Sequence, residues 1–199
     1  MSFNLTDTEE ARLLDLSLLN TDKLALMAVL GSDSAAGTEV TGGSYARQTL
    51  TLAAASTTGG ATSKATSTLT SFTSMPATDV QGWAVYDSAG TGRKWYGLWS
   101  PKTGTASATG DTVTSTAHGY TNGQKIVFQS GYTPAGLAAN TTYFVVNATT
   151  DTFQVAATSG GTAIDITADL SGVQFGVVKT ANATDTFNVA AGALTFSLD

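Results

Sequence analysis

Residues 104–178 have the pattern of a complete small β domain, and the residues on either side have the pattern of one interrupted chain. If the middle segment is removed, residues 98–103 and 179–183 join as a strand, a turn and a strand. A surface turn tolerates an inserted domain when the two inserted ends lie close together. The sequence therefore predicts a discontinuous host domain, residues 1–103 and 179–199, that docks to a partner and carries an inserted domain, residues 104–178, that projects from it.

Short apolar runs separated by turns rich in Gly and Asn recur through the inserted segment. Such spacing is typical of small barrels and sandwiches. In several runs the apolar residues alternate with polar ones, as in strands that bury one face. We predict a small β-barrel with strands at residues 112–116, 125–129, 142–148, 152–157, 163–167 and 173–178.

The host begins with a helix pattern. Thr6 and Glu9 form a capping box, and Leu14 and Leu18 fall on one helical face, which predicts a helix over residues 7–19.

The rest of the host has the pattern of strands. The run 24–30 is apolar on both faces, which favours a buried strand, although Leu, Ala and Met also form helices well and a helix stays open as the alternative. Residues 57–63 are predicted to be a Gly/Thr loop. Further strands are predicted at 44–54, 65–72, 80–86 and 94–99, and a final hairpin at 185–189 and 193–198.

Three tryptophans lie in the hairpin formed by residues 80–86 and 94–99. Clustered aromatic side chains can line a surface that binds a sugar or a partner, and more often they pack in a core. Both interpretations stay open. Trp83, Trp95 and Trp99 are therefore the candidate contacts to a partner or a host-surface glycan.

Charge and composition exclude several classes of function. Only 12% of the 199 residues are charged and the net charge is −6, whereas binding to nucleic-acid phosphates needs a basic patch. The absence of cysteine excludes disulfides and thiolate chemistry. No apolar run is long enough to span a membrane and no signal pattern is visible at the N-terminus, so we expect no membrane partner and synthesis in the cytoplasm.

No catalytic constellation is visible. His118 is the only histidine and lies in a turn pattern, which favours a structural role. No nucleophile motif accompanies it, and Asp165 and Asp169 are too sparse for a calcium loop. We predict that the protein is not an enzyme and has no catalytic residue, cofactor site or metal site.

The inserted segment resembles a module found repeatedly in virion proteins of tailed phages. The matching residues are DTVTSTAHGY at 111–120, NGQKI at 122–126, PAGL at 134–137, TYFVV at 142–146 and DTFQV at 151–155. The module is similar to the small FCCH-like β-barrel that lies beside the catalytic half-domains of ubiquitin-activating enzymes. The resemblance implies a barrel, and it implies no ubiquitin chemistry because the chain has no cysteine.

The host resembles the short phage proteins called tail-fibre proteins. The matching residues are GTEVTGGSYARQ at 37–48, the strand around Trp83 and AAGALTFSL at 190–198. The resemblance implies a β-sandwich with an N-terminal helix. We therefore predict an all-β fold: an antiparallel, jelly-roll-like β-sandwich with one N-terminal helix, plus the inserted small β-barrel.

These resemblances lead to a functional expectation. We expect a non-enzymatic structural protein on the exterior of a tailed-phage virion, either a tail fibre or an adhesin. A capsid decoration (cement) protein that stabilises the head is the alternative, and a carbohydrate-binding module is a further one. The expected partners are other virion proteins, of the tail or the major capsid, and further copies of the chain, with a trimer favoured.

Overall fold

The computed structural model describes residues 5–198, and it contains one helix, α1 (Asp7–Ser17), before a series of strands. The Thr6 hydroxyl accepts a hydrogen bond from the Glu9 N–H at 3.4 Å, as the capping box predicts. Leu14 and Leu18 are fully buried, so the helix packs through the face that the sequence pattern indicates. The prediction of an all-β fold with one N-terminal helix is confirmed.

In the part of the chain that the structure describes, seventeen strands follow the helix, and every pairing between them is antiparallel. In chain order they are β1 (Lys23–Val29), β2 (Thr38–Glu39), β3 (Gln48–Thr49), β4 (Ser56–Thr58), β5 (Ala61–Ala65), β6 (Thr70–Phe72), β7 (Thr78–Val80), β8 (Gly82–Tyr86), β9 (Arg93–Ser107), β10 (Thr112–Thr114), β11 (Lys125–Phe128), β12 (Thr142–Val146), β13 (Thr152–Ala156), β14 (Leu170–Val177), β15 (Lys179–Ala181), β16 (Phe187–Val189) and β17 (Thr195–Leu198).

Six of these strands close into a barrel. The ring runs β9–β10–β13–β12–β11–β14 and returns to β9, because β9 pairs with both β10 and β14. A closed ring leaves no strand edge unpaired. Its interior is a separate apolar cluster that includes Val113, Ile126, Phe128, Phe153 and Phe175, all fully buried.

The host is a two-layer arrangement around its own core. One layer is the part of the large sheet formed by β1, β8 and the first half of β9, with β2 and β3 beside β1. The other layer consists of three small sheets, β7–β15, β6–β16 and β4–β5–β17. Side chains of both layers meet in one cluster, with Leu24 and Val85 from the first and Phe72, Val189 and Phe196 from the second.

The strand β9 belongs to both parts of the molecule. Its first half pairs with β8 of the host, and its second half supplies one strand of the barrel. At the predicted start of the insert, residues 103 and 104 lie within this one strand, and β14 pairs with β9 as far back as Trp99. The main apolar clusters of the host and the barrel remain distinct, and the division of the chain into two domains stays a prediction.

Several predicted strands need correction. Within residues 44–54 only the two-residue strand β3 forms, because Gly42 and Gly43 take positive φ and the chain loops away from β1 before returning to it. The predicted loop at 57–63 is instead the β4–β5 hairpin, whose turn is formed by Gly59 and Gly60 at φ values of +63° and +84°.

The predicted strand at 163–167 and the predicted C-terminal hairpin also differ from the structure. The predicted strand at 163–167 is absent from the structure. There, Ile164 and Thr167 donate single backbone hydrogen bonds to Val155 and Ala135. The strands β16 and β17 do not pair with each other as a hairpin. They pair with the distant strands β6 and β5, so they join the C-terminus to the sheets formed earlier in the chain.

Candidate functional site

The three predicted contact tryptophans lie in or beside the host core. Trp83 and Trp99 expose 7% and 3% of their surface, and Trp95 is half-buried. Trp83 and Trp95 both pack edge-on against Phe196, with ring centroids 5.3 and 5.5 Å from it. Their indole N–H groups donate within the chain, from Trp83 to the Leu98 carbonyl and from Trp95 to the Ser17 hydroxyl. Their role as partner or glycan contacts stays a prediction.

Trp99 carries a cation on its ring. The Lys179 ammonium lies 4.6 Å from the Trp99 ring centroid and 5.5 Å from that of Phe187, an arrangement in which the aromatic quadrupole attracts the charge. Within residues 5–198 this ammonium forms no ion pair, and burial lowers the pKa of Lys179. Lys179 therefore covers the edge of the host core.

A small cleft lies in the host, between the middle of β9 and the segment that leads into β17. Its volume is about 130 Å³, below the range of about 300–1,000 Å³ that is usual for small-molecule sites. A wider groove of about 510 Å³ lies on the barrel beside Asp169 and Leu170. The residues lining the small cleft are Trp83, Leu98, Trp99, Ser100, Pro101, Ala193, Leu194 and Thr195.

His118 has a structural position. It is buried, its Nδ1 accepts the Tyr120 N–H at 2.9 Å, and its Nε2 lies 3.3 Å from the Thr152 carbonyl. An Nδ1 that accepts leaves Nε2 as the protonated nitrogen, which then donates to that carbonyl. Both ring nitrogens are thus engaged with the backbone. The neighbouring Tyr120 hydroxyl is buried, which raises the pKa of Tyr120 to about 12.

The acidic side chains of the barrel fasten loops. Asp111, Asp151 and Asp169 each accept a backbone N–H, from Ile166, Ala117 and Ala108 respectively, at 2.7–2.9 Å. Each bond joins residues that are 34–61 positions apart in the chain, so these carboxylates fix loops to distant segments rather than closing local Asx turns. Across residues 5–198, no group of three His, Asp or Glu side chains is placed to hold a metal ion.

One polar network of the host escaped the sequence analysis. The carboxylate of Glu39 pairs with Arg47 and also accepts the Tyr45 hydroxyl at 2.8 Å, while that hydroxyl accepts the Leu26 N–H at 2.9 Å. Arg47 lies 3.6 Å over the ring of Tyr86. This network fastens residues 38–49 along the edge of β1. No sequence motif announces it, because the residues meet only through the fold.

The junction between host and barrel is held by another set of contacts. Lys125 of β11 lies 2.7 Å from the Asp79 carboxylate of β7, and Thr180 donates to the same carboxylate. The buried side chain of Gln81 accepts the Leu30 N–H and donates to the Asn140 carbonyl and the Thr142 hydroxyl. An apolar cluster of Leu30, Leu98, Val127 and Val178 lies beside them.

The side chains brought together at this site are suited to fixing the barrel on the host rather than to acid–base or nucleophilic chemistry. In the described part of the chain, no helix is both long and apolar enough to cross a membrane. Comparison of the chain with protein-family models, curated proteins and solved structures gives no match.

Proposed function

We propose that the protein is a non-enzymatic structural component of a tailed-phage virion, displayed on the exterior of the particle as a tail-fibre-like protein or adhesin. The observation that carries the proposal is the shared strand β9, which is built into the host sheet and the barrel at once. A displayed module must be presented in a defined direction, and a site carried on regular structure is positioned more accurately than one carried on a loop.

The composition and the two resemblances support the same proposal. A chain in which only 12% of the residues are charged suits a protein packed against neighbouring copies and other virion proteins. In this proposal the host docks to the particle and forms a trimer, and the barrel projects outward. The segments that resemble phage proteins include parts of both, namely residues 37–48 and 190–198 of the host and much of the barrel.

Locating the protein on purified phage particles tests the proposal. We expect gold-labelled antibodies against the barrel to decorate the tail of intact particles, and reconstructed density to show the barrel outermost. Labelling of the head would favour the alternative, a capsid decoration protein. Particles that contain none of the chain by mass spectrometry would contradict both.

Light scattering tests the self-association. A trimer mass in solution is expected, and a monomer mass at every concentration would contradict a trimer of the free protein.

A glycan array probes the carbohydrate-binding alternative. Trp95 is the informative residue because it is less buried than Trp83 and Trp99. Glycan binding that is lost in Trp95→Ala would support that alternative over the structural one.

A further inference from the structure

We infer that Gln81, Asp79 and Lys125 form a latch that locks the barrel onto the host in one orientation. The latch makes the host core and the barrel interior unfold as a single cooperative unit. The latch is defined by these three side chains and their hydrogen-bond partners. The inference concerns folding and does not depend on the proposed function.

Gln81 is the buried part of the latch. It is 4% exposed and lies between β7 and β8 of the host. Its Oε1 accepts the Leu30 N–H at 3.1 Å, and its Nε2 donates to the Asn140 carbonyl at 3.0 Å and the Thr142 hydroxyl at 3.2 Å. Leu30 belongs to the host, whereas Asn140 and Thr142 belong to the inserted segment. One buried amide therefore joins the two parts.

Moving the barrel away from the host is costly because the Gln81 amide is buried. A buried polar group that loses its partner retains the full penalty of its desolvation. Rotation of the barrel away from the host would break both bonds donated by Gln81, so intermediate orientations are disfavoured. Satisfied buried polar networks of this kind specify one arrangement of the parts that they join.

Lys125 and Asp79 form the partly exposed part of the latch. The Lys125 ammonium donates to both Asp79 carboxylate oxygens at 2.7 and 2.9 Å, and also to the Thr180 hydroxyl at 3.2 Å. Asp79 and Thr180 are paired residues of β7 and β15 in the host. The barrel strand β11 is thus held directly against a host sheet with which it shares no backbone hydrogen bonds.

Apolar burial adds to these polar contacts. Leu30 and Leu98 of the host pack with Val127 and Val178, and each of the four is at most 5% exposed. This cluster would be opened to water if the barrel unfolded while the host stayed folded. Unfolding one part therefore removes stabilising contacts from the other, which is the condition for a single transition.

The tryptophans allow the two parts to be followed separately in the full-length chain. All three lie in the host, at positions 83, 95 and 99, so indole fluorescence reports the host core. Hydrogen exchange of the β12 and β13 amides, measured by mass spectrometry, reports the barrel. In wild type, we expect both signals to change at the same urea concentration.

Removing a latch contact should separate the fluorescence midpoint from the hydrogen-exchange midpoint. Gln81→Met keeps the side-chain size and removes the amide, and we expect the two midpoints to differ by about 1 M urea, a difference well resolved by such curves. Lys125→Met provides a second test at a partly exposed position, should Gln81→Met fail to fold. Gln48→Met is the matched control, because the Gln48 amide donates only to Ala46 within the host.

Separate midpoints in wild type would overturn the inference. Coincident midpoints in both latch variants would also overturn it, as would a separation in the Gln48→Met control as large as in the latch variants. Coincident wild-type and control midpoints together with separated latch-variant midpoints would support it.

Discussion

The ammonium of Lys94 on β9 lies 3.0 Å from both carboxylate oxygens of Asp22, whose side chain is almost completely buried. The same carboxylate accepts the Leu19 N–H at 2.9 Å. It therefore connects the turn that follows α1 to the β8–β9 hairpin. Asp22 thereby connects the helix to the sheet through one buried charge.

Removing that charge should be costly. Asp22→Ala leaves the Lys94 ammonium and the Leu19 N–H without their acceptor, and breaking a buried pair costs about 3–5 kcal/mol in the free energy of unfolding. Lys94 is partly exposed and water can replace part of the loss, so we expect the lower end, about 3 kcal/mol. Urea unfolding measures it. Arg12→Ala, which breaks an exposed pair with Glu9, is the control and should change little; equal losses would contradict the prediction.

A second prediction concerns the edge of β1. Tyr45→Phe removes the oxygen that accepts the Leu26 N–H and the hydroxyl that donates to Glu39. A buried donor left unpaired costs about 1–3 kcal/mol, so we expect a loss of that size in the free energy of unfolding. Tyr132→Phe, at an exposed tyrosine, is the matched control. A loss no greater than that of the control would show that the network does not stabilise this edge.

Lys179 gives a pH-dependent prediction. Burial lowers the pKa of Lys179 below its ordinary value of 10.5, so the folded state disfavours the charged form. The free-energy cost of burying the charged ammonium is fully present below the lowered pKa. It disappears as the pH rises from there to the pKa of lysine in the unfolded chain, because the unfolded state then binds more protons.

We therefore expect wild type to gain stability relative to Lys179→Met over the alkaline range that ends at the ordinary lysine pKa of 10.5. Urea unfolding of both proteins across this range measures the difference, in which the titration of other groups largely cancels. A difference that is constant with pH, or that changes with the opposite sign, would contradict the prediction.

The shared strand predicts how fragments of the chain behave. Residues 104–178 lack the part of β9 at which Trp99, Lys102 and Thr103 pair with β14, whereas residues 97–178 retain it. We expect the longer fragment to unfold at a higher temperature, because it restores those pairs and covers Phe175 and Val177. Circular dichroism measures both. Equal unfolding temperatures would show that the barrel is complete without the host part of β9.

The sequence was informative where a pattern is local. The buried strand β1 follows from a run that is apolar on both faces, and α1 follows from Thr6, Glu9 and the spacing of Leu14 and Leu18. Four barrel strands, β10 to β13, lie within the predicted ranges because their apolar residues alternate and end at turns.

The errors arose where long-range pairing decides the structure. The alternation between Ala46 and Leu52 resembles a strand, yet the paired glycines before it turn the chain away from β1. Nothing local in residues 187–198 tells that these strands pair with β6 and β5 rather than with each other. The latch could not be predicted either, since Gln81 and Asn140 are far apart in the chain and an isolated glutamine carries no motif.

The shared strand β9 also has a mechanical consequence. At about 3.3 Å per residue its 15 residues extend for at most roughly 50 Å. The strand is bulged at Ser100, where φ is +46° and the register with β14 shifts, and a bulge bends a strand. Because β9 is hydrogen-bonded on both sides of the bulge, a force applied to the barrel is transmitted through this bend into the host sheet.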